Sequence, residues 1–346
     1  MDITKLQVQH LRTHDSVSFP VTARVTVITG RNGSGKTTLL EALHIALRGT
    51  SFRGSDRELL QHDADWWRVD VETTAGPRTI AFDEQKQTAK KKFLVDDRQF
   101  GRLPIAKKLP VVLFEPEDLR VIHGSPARRR QFFDAFISQV DPQYGTVLRK
   151  YERALKQRNA ALKQPSITRD DVFVWDMALA EYGAHIIERR SMMCAQINES
   201  LTETYRSIAG TNDEVSVHYS HTYIDGVQQK LVNELYAQFA RDTMLGFTSV
   251  GPHRHDILFR FNGQPALQVA SRGEVRSTVL ALKFIEVDIA TETTGVSPIV
   301  LLDDVFAELD EIRQQRLAEK CRDSQMFITS THAYTGIDTR SVISLD

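Results

Sequence analysis

Gly30-Arg31-Asn32-Gly33-Ser34-Gly35-Lys36-Thr37 reads as a glycine, four residues and then Gly-Lys-Thr, the Walker A spacing. Glycines at these positions let successive backbone N–H groups turn inward around phosphate oxygens, and a helix starting where the loop ends adds the positive end of its dipole. Lys36 is then expected to reach the outer phosphates of a nucleoside triphosphate, and the Thr37 hydroxyl to bind Mg²⁺. The whole segment, with Thr38 behind it, is the expected cradle for ATP. Far downstream, Ile299-Val300-Leu301-Leu302 is an unbroken apolar run that ends on Asp303 and Asp304, which is what a Walker B strand supplies at the carboxyl edge of a parallel sheet. Asp303 is expected to hold the metal, and Asp304 to orient or deprotonate the attacking water. Taken alone, the two aspartates would also suit a helix N-cap; the Walker A loop argues for the catalytic reading. Aspartate is shorter than the glutamate that many transport ATPases carry at the second position, so slow hydrolysis is expected.

Three further segments fit a triphosphate site. Ala270-Ser271-Arg272-Gly273-Glu274 precedes a helix that leads toward Walker B and resembles the signature motif of ABC ATPases. Ser271, the Gly273 N–H and the helix start would bind a γ-phosphate; a plain helix cap followed by glutamate is the alternative. Glu308-Leu309-Asp310 follows Walker B as a D-loop would, which assigns Asp310 to the nucleotide. His332, after Thr329-Ser330-Thr331, stands where a switch histidine stands, and Arg12, following the first strand, resembles a nucleotide-contacting arginine of such ATPases.

The elements that must position these residues can be read from periodicity. Ile3 to Val8 and Ser16 to Phe19 alternate as a hairpin; Arg24 to Thr29 is a buried strand leading into the glycine loop; Thr37 to Leu47 has the spacing of an amphipathic helix. Strands are also expected at 67–72, 79–82 and 111–114, with lysine-rich connections. From Pro126 to about Ile208 the pattern is helical almost throughout. Strand patterns return at 215–219 and 255–261, the latter closed by Asn262-Gly263, then a helix from Gly273, then apolar strands at 299–302 and 326–329. This order predicts an α/β ATPase head of mixed sheets and flanking helices, residues 1–125 and 211–346, interrupted by a mainly helical arm at 126–210.

Composition narrows the function without naming it. Hydrophobic residues at 41% and charged residues at 26% are ordinary for a globular protein. No apolar run is long enough to span a membrane and the first residues lack the layout of an export signal, so a cytoplasmic protein is expected. Cys194 and Cys321 are too few and too far apart for a disulfide framework or a cysteine zinc site. The net charge of −1 means that any nucleic-acid binding must come from local clusters. Arg149, Arg153, Lys156 and Lys163 are four, three and seven residues apart, one helical stripe, with Leu148, Tyr151, Leu155 and Leu162 opposite. Such a ridge suits phosphate contacts that ignore sequence, although an ordinary solvated face has the same spacing. Lys90, Lys91 and Lys92, and Lys107 and Lys108, are second candidates on loops or strand ends. Trp66 and Trp67 read as core or interface residues rather than base-stacking platforms.

Ser51-Phe52-Arg53-Gly54 with Asp56 to Leu60, Phe114 to Leu119, Gly124-Ser125-Pro126 with Arg128-Arg129-Arg130, Tyr151 to Asn159, and Gly251-Pro252-His253-Arg254 with Asp256 carry the resemblance further. Together, nearly end to end, the chain resembles the RecF family. That resemblance implies an ABC-type head related to those of SMC proteins, with a short helical arm instead of a long coiled coil. It also implies ATP-dependent homodimers on double-stranded or gapped DNA and at single-strand/duplex junctions, slow DNA-stimulated hydrolysis, and assistance to RecA loading with RecR and RecO in replication restart and the SOS response. The chain departs from the family at Arg272, where glutamine is usual, and at Glu115, where serine or threonine is usual. An ATP-hydrolysing subunit of a membrane transporter is the competing reading, disfavoured by the helical arm and the Gly-Pro-His-Arg segment. A small-molecule kinase is disfavoured by the signature-like segment.

Overall fold

The computed structural model describes residues 2–88, 90–221, 223, 225–306, 309–331 and 340–345. The chain divides into two compact units: Met1–Asp118 with Glu286–Asp346, and Leu119–Ile285.

The first unit opens with β1 (Ile3–Leu11), β2 (His14–Pro20), β3 (Val25–Thr29), α1 (Lys36–Arg48), β4 (Trp66–Thr73), β5 (Gly76–Asp83), β6 (Lys91–Val95), β7 (Arg98–Phe100) and β8 (Val111–Phe114). An antiparallel sheet has the order β2-β1-β4-β5-β6-β7. Its strands alternate as the sequence does: in β4, Trp67, Val69 and Val71 are buried while Trp66 and Arg68 are exposed. One face covers a core, as expected for an antiparallel sheet. Helix α1 departs from the amphipathic expectation, because almost every residue from Thr38 to Leu47 is buried, Glu41 included. The reason is its position: it touches β1, β4 and β5 of the antiparallel sheet and also β8 and a strand of the second sheet described below. A helix covered on opposite sides has no solvent face to mark with polar residues.

The second unit is built from α2 (Arg120–His123), α3 (Pro126–Val140), α4 (Tyr144–Ala161), α5 (Arg169–Asn198), α6 (Leu201–Ala209), β9 (Val215–Ser220), α7 (Val227–Ala237), α8 (Phe239–Leu245), β10 (Asp256–Phe261), β11 (Gln264–Pro265) and α9 (Ala266–Val269). Ser125 caps α3 through the Arg128 N–H, with Pro126 at the first helical position. A small antiparallel sheet, β11-β10-β9, turns at Asn262-Gly263, both at positive φ. This sheet and helices α7 and α8 cluster with the helices of 126–210, so the boundary expected at residue 210 falls inside one compact unit. Helix α10 (Arg272–Thr294) starts in this unit and ends in the first.

Back in the first unit come β12 (Ile299–Leu302), α11 (Glu311–Lys320), β13 (Met326–Ser330) and β14 (Arg340–Ser344). They complete a parallel sheet of order β14-β3-β13-β12-β8. Strands β12 and β13 are buried at every residue, which explains their unbroken apolar runs: parallel strands are covered on both faces. The sheet brings the carboxyl ends of β3, β13 and β12 to one edge, side by side, and both phosphate-type motifs lie just past it.

Candidate functional site

The loop after β3 has the backbone that its glycines allow. Gly33 and Gly35 sit at φ 86° and 93°, a region L side chains rarely adopt. A Cβ on Gly35 would stand 2.3 Å from His14 Nε2 and 2.5 Å from Thr13 Oγ1, so glycine is required for both reasons. His14 lies 3.0 Å from the Gly35 carbonyl through Nε2. No local pattern announces this contact, because it depends on the β1–β2 turn folding against the loop.

Lys36 is buried, and its Nζ donates to the carbonyls of Gly30 at 2.9 Å and Arg31 at 3.0 Å. Arg31, Asn32 and Gly33 are exposed, whereas Thr38 is buried on α1. The Ser34 Oγ is buried without a hydrogen-bond partner. An unpartnered hydroxyl inside a glycine loop, beside a buried ammonium, is a donor set suited to an anion, and the residues present fit a triphosphate.

Across the sheet edge, Thr37 Oγ1 donates to Asp303 Oδ1 at 2.7 Å. Thr329, at the end of β13, donates to the same oxygen at 3.0 Å and accepts from the Asp304 N–H at 2.8 Å. Burial raises the Asp303 pKa; the hydrogen bonds from Thr37 and Thr329 oppose this, Asp304 adds to the rise and Arg53 opposes it. A divalent cation beside this carboxylate would favour its charged form. Asp304 is exposed, at φ 52°. Thr37 and Asp303, oxygen donors in contact, have the hard-ligand chemistry Mg²⁺ takes with substrate phosphates. Thr329 and Arg53 were not singled out for this site by sequence. The one available signal for Thr329 was a hydroxyl in an otherwise apolar run.

Arg12 does not reach out freely. Its guanidinium donates to Glu41 through Nε at 2.7 Å and Nη2 at 3.0 Å, and Glu41 also accepts from Ser51. Ser51 Oγ in turn accepts the N–H groups of Arg53 and Gly54 at 2.9 and 3.0 Å. A buried carboxylate on α1 thus fixes both Arg12 and the turn bearing Arg53, which accounts for the Ser-Phe-Arg-Gly segment.

Asp310 caps α11, accepting from the Arg313 N–H at 2.9 Å. Glu308 and His332 lie outside the described residues. In the second unit, Ser271 and Glu274 form a reciprocal cap at the start of α10: Ser271 N–H to Glu274 Oε2 at 2.5 Å and Glu274 N–H to Ser271 Oγ at 3.3 Å. Ser271, Arg272 and Gly273 remain exposed. The cap and the signature reading therefore describe the same residues.

The basic candidates separate into two kinds. Arg149, Arg153, Lys156 and Lys163 are exposed on or just beyond α4, while Tyr151, Ala154 and Leu162 are buried. Lys90 is exposed and Lys92 half-buried, but Lys91 turns inward. Its ammonium bonds Asp56 and, at 3.0 Å, the Gly49 carbonyl, and lies 5.4 Å from the Trp67 and Phe93 ring centres. Lys91 is thus a structural cation rather than a nucleic-acid contact. Arg158, which sequence did not separate from its neighbours, is fully buried against Asp176 at 2.5 Å and Asp242 at 2.6 Å. Arg129 likewise grips Asp256 through two 2.7 Å bonds, and Arg130 the His255 carbonyl at 2.7 Å. Arg129 and Arg130 of the run at the start of α3 therefore serve packing.

Two sheets around a buried helix, a glycine loop meeting a carboxylate at the parallel edge, and an exposed signature-type helix start define an ABC-type P-loop ATPase head. A family model described as "RecF/RecN/SMC N terminal domain" matches residues 2–345. The chain is 33% identical over 344 residues to a DNA replication and repair protein RecF of Agathobacter rectalis, covering 96% of this chain and 92% of that one. It is 35% identical over 342 residues to the protein so named in Streptococcus suis, covering 96% and 93%. It belongs to the RecF family of DNA replication and repair proteins. A solved structure of "the recombination mediator protein RecF-ATP in RecFOR pathway" matches with a TM-score of 0.87 at 29% identity, covering 99% of this chain and 95% of that one. An SMC head bound to part of ScpA, 14% identical with a TM-score of 0.54, shares the fold. Among the described residues no helix is long and apolar enough to cross a membrane.

Proposed function

We propose that the chain is an ATP-driven DNA clamp of recombinational repair. Two copies pair through ATP, each presenting its Ser271–Gly273 helix start to the triphosphate cradled by the other, and so close on double-stranded or gapped DNA. The observation that carries this reading is the joined Thr37–Asp303–Thr329 cluster beside a glycine loop whose Ser34 hydroxyl has no partner. Gly30 to Thr38 would hold the phosphates, Thr37 and Asp303 the Mg²⁺, and the bound metal would neutralise charge developing on the transferred phosphoryl group. Asp304, fixed through its N–H to Thr329 but with its carboxylate exposed, orients or deprotonates water. Asp310 and His332 complete the proposed nucleotide contacts, and Arg12 acts through Glu41 on the turn carrying Arg53.

Slow hydrolysis, stimulated by DNA, releases the pair. Arg149, Arg153, Lys156, Lys163 and Lys90 are the proposed phosphate contacts, with Lys92 in support. In the cytoplasm such a clamp would mark gaps and junctions for RecR and RecO, help RecA load, and support replication restart and the SOS response. The RecF named in two matching structures, one with ATP and one described as "RecF-ATPrS", is assigned to the RecFOR pathway, which supports this reading.

The test is a DNA titration with ATP, ADP and no nucleotide. ATP should tighten binding in the parent protein; Lys36→Arg should lose hydrolysis more than ATP binding; Ser271→Arg should lose the ATP-dependent gain. Equal affinity in all three nucleotide states would overturn the clamp, and a turnover on the order of tens per second would contradict the slow switch.

A further inference from the structure

The last residues of α8 and the segment that follows it hold apolar side chains out in solvent on a hydrogen-bonded mount. Met244 is 88% exposed, Leu245 45% and Phe247 37%. Exposed apolar side chains are unremarkable singly. These three fall within four consecutive residues, and the backbone that carries them is tied down from inside. Arg158 of α4 donates to Asp242 at 2.6 Å and to Thr248 Oγ1 at 2.9 Å. Asp242 also accepts from Ser249 N–H at 3.0 Å and Oγ at 2.6 Å, and Asn159 Oδ1 accepts from Thr248 N–H and Oγ1, both at 2.8 Å. Buried charge anchors the segment on either side of Gly246, at φ 71°.

Its surroundings are cationic. The Arg254 guanidinium lies 4.7 Å from the Phe247 ring centre and bonds the Thr248 carbonyl at 3.0 Å. Lys163 Cγ is 3.5 Å from where a Cβ on Gly246 would stand. Lys163, Arg241 and Arg254 are exposed, whereas Asp242 is buried. Lys163 is also the last member of the Arg149–Lys163 stripe. An apolar tip ringed by cations, at the end of a basic ridge, matches a polyanion that also exposes apolar faces.

We propose that Met244 and Leu245 form a wedge that packs against unpaired bases where a duplex opens, at a gap or single-strand tail, with Phe247 and Arg254 as its base. The wedge supplies the preference for gapped over continuous duplex; the ridge supplies affinity for either. This rests on the DNA-binding reading above and specifies which residues read the junction.

Binding of blunt and gapped duplexes of equal length, the latter with 2-aminopurine at the first unpaired position, separates the two claims. Met244→Ala with Leu245→Ala should reduce the gapped-to-blunt affinity ratio at least about fivefold and abolish the 2-aminopurine brightening seen with the parent protein, leaving blunt-duplex affinity and its salt slope unchanged. An unchanged ratio overturns the wedge, as does an equal loss on both DNAs. Self-association that the parent shows and the double variant lacks would make the tip a contact between copies and overturn it too. Arg153→Ala with Lys156→Ala should weaken both DNAs alike; if it weakens neither, the ridge reading fails, and the wedge is still judged by its own ratio.

Discussion

The nucleotide loop of the first unit and the Arg158 cluster of the second both bury charge, and they do so in opposite ways. Around Arg158 charge answers charge: Asp176 and Asp242, with Thr248, converge on the Nε and Nη1 of one guanidinium, whose Nη2 is buried without a partner. Around Lys36 the partners are neutral: the ammonium is held by the Gly30 and Arg31 carbonyls and Asp303 by the Thr37 and Thr329 hydroxyls, the Ser34 hydroxyl has no partner, and burial, chiefly, raises the Asp303 pKa. A closed cluster holds parts of the fold together; an open one waits for a ligand. The same contrast divides the cations of the second unit, where Arg129, Arg158 and Arg190 pair inside while Arg153, Lys156 and Lys163 face out.

Breaking the closed cluster should have the largest effect on folding. Arg158→Ala leaves Asp176 and Asp242 buried without their cation, a loss of about 3–5 kcal/mol, read as a lower urea midpoint. A loss under about 1 kcal/mol would mean that water enters and the cluster is not closed. The open cluster should respond the other way. Asp303→Asn should leave the urea midpoint near that of the parent and lower hydrolysis by about 10²-fold or more, measured as phosphate release; unfolding instead would make Asp303 structural. Arg53→Ala should weaken ATP binding more modestly, by about tenfold, measured calorimetrically.

A pH test sharpens the comparison within the second unit. His253 accepts from Tyr151 OH at 2.6 Å and donates to the Thr248 carbonyl at 3.1 Å, so the neutral ring satisfies both neighbours. Burial, chiefly, lowers its pKa to about 4. The unfolded chain therefore binds a proton between about 6.5 and about 4 that the folded chain refuses, and stability from this group is full above that window and lost as pH falls through it. His253→Gln should remove up to about 1.4 kcal/mol per pH unit of that slope, seen by comparing urea midpoints of variant and parent at several pH values. Parallel curves would show that the histidine does not titrate there. The smallest effect is expected outside: Arg153→Ala should change stability by under about 0.5 kcal/mol, while reducing the salt slope of DNA binding by about one.

The open site was largely legible in the sequence because its chemistry is local. Gly30 to Thr37 must be contiguous to wrap a phosphate, and an apolar run ending on Asp303 announces its own strand. Thr329 escaped because its role comes from strand order: β13 sits between β3 and β12, which no local pattern states. His14 escaped for a similar reason, being placed by a turn. The closed clusters were illegible, since Arg158 and Asp242 stand 84 residues apart, and a buried arginine on a basic helix has the same spacing as its exposed neighbours. Lys91 misled in the same way: it shares a lysine run with Lys90 yet begins a strand whose geometry turns it toward Asp56. Periodicity found most strands of the three sheets but missed the solvent-free surroundings of α1, and it gave no sign of α7 and α8.

The account depends on ATP joining two copies of the open site. Light scattering on the protein with duplex DNA and a saturating non-hydrolysable ATP analogue tests this most directly. The predicted result is a complex with two chains per DNA that reverts to single chains with ADP or with Ser271→Arg; single chains under every nucleotide condition would contradict it.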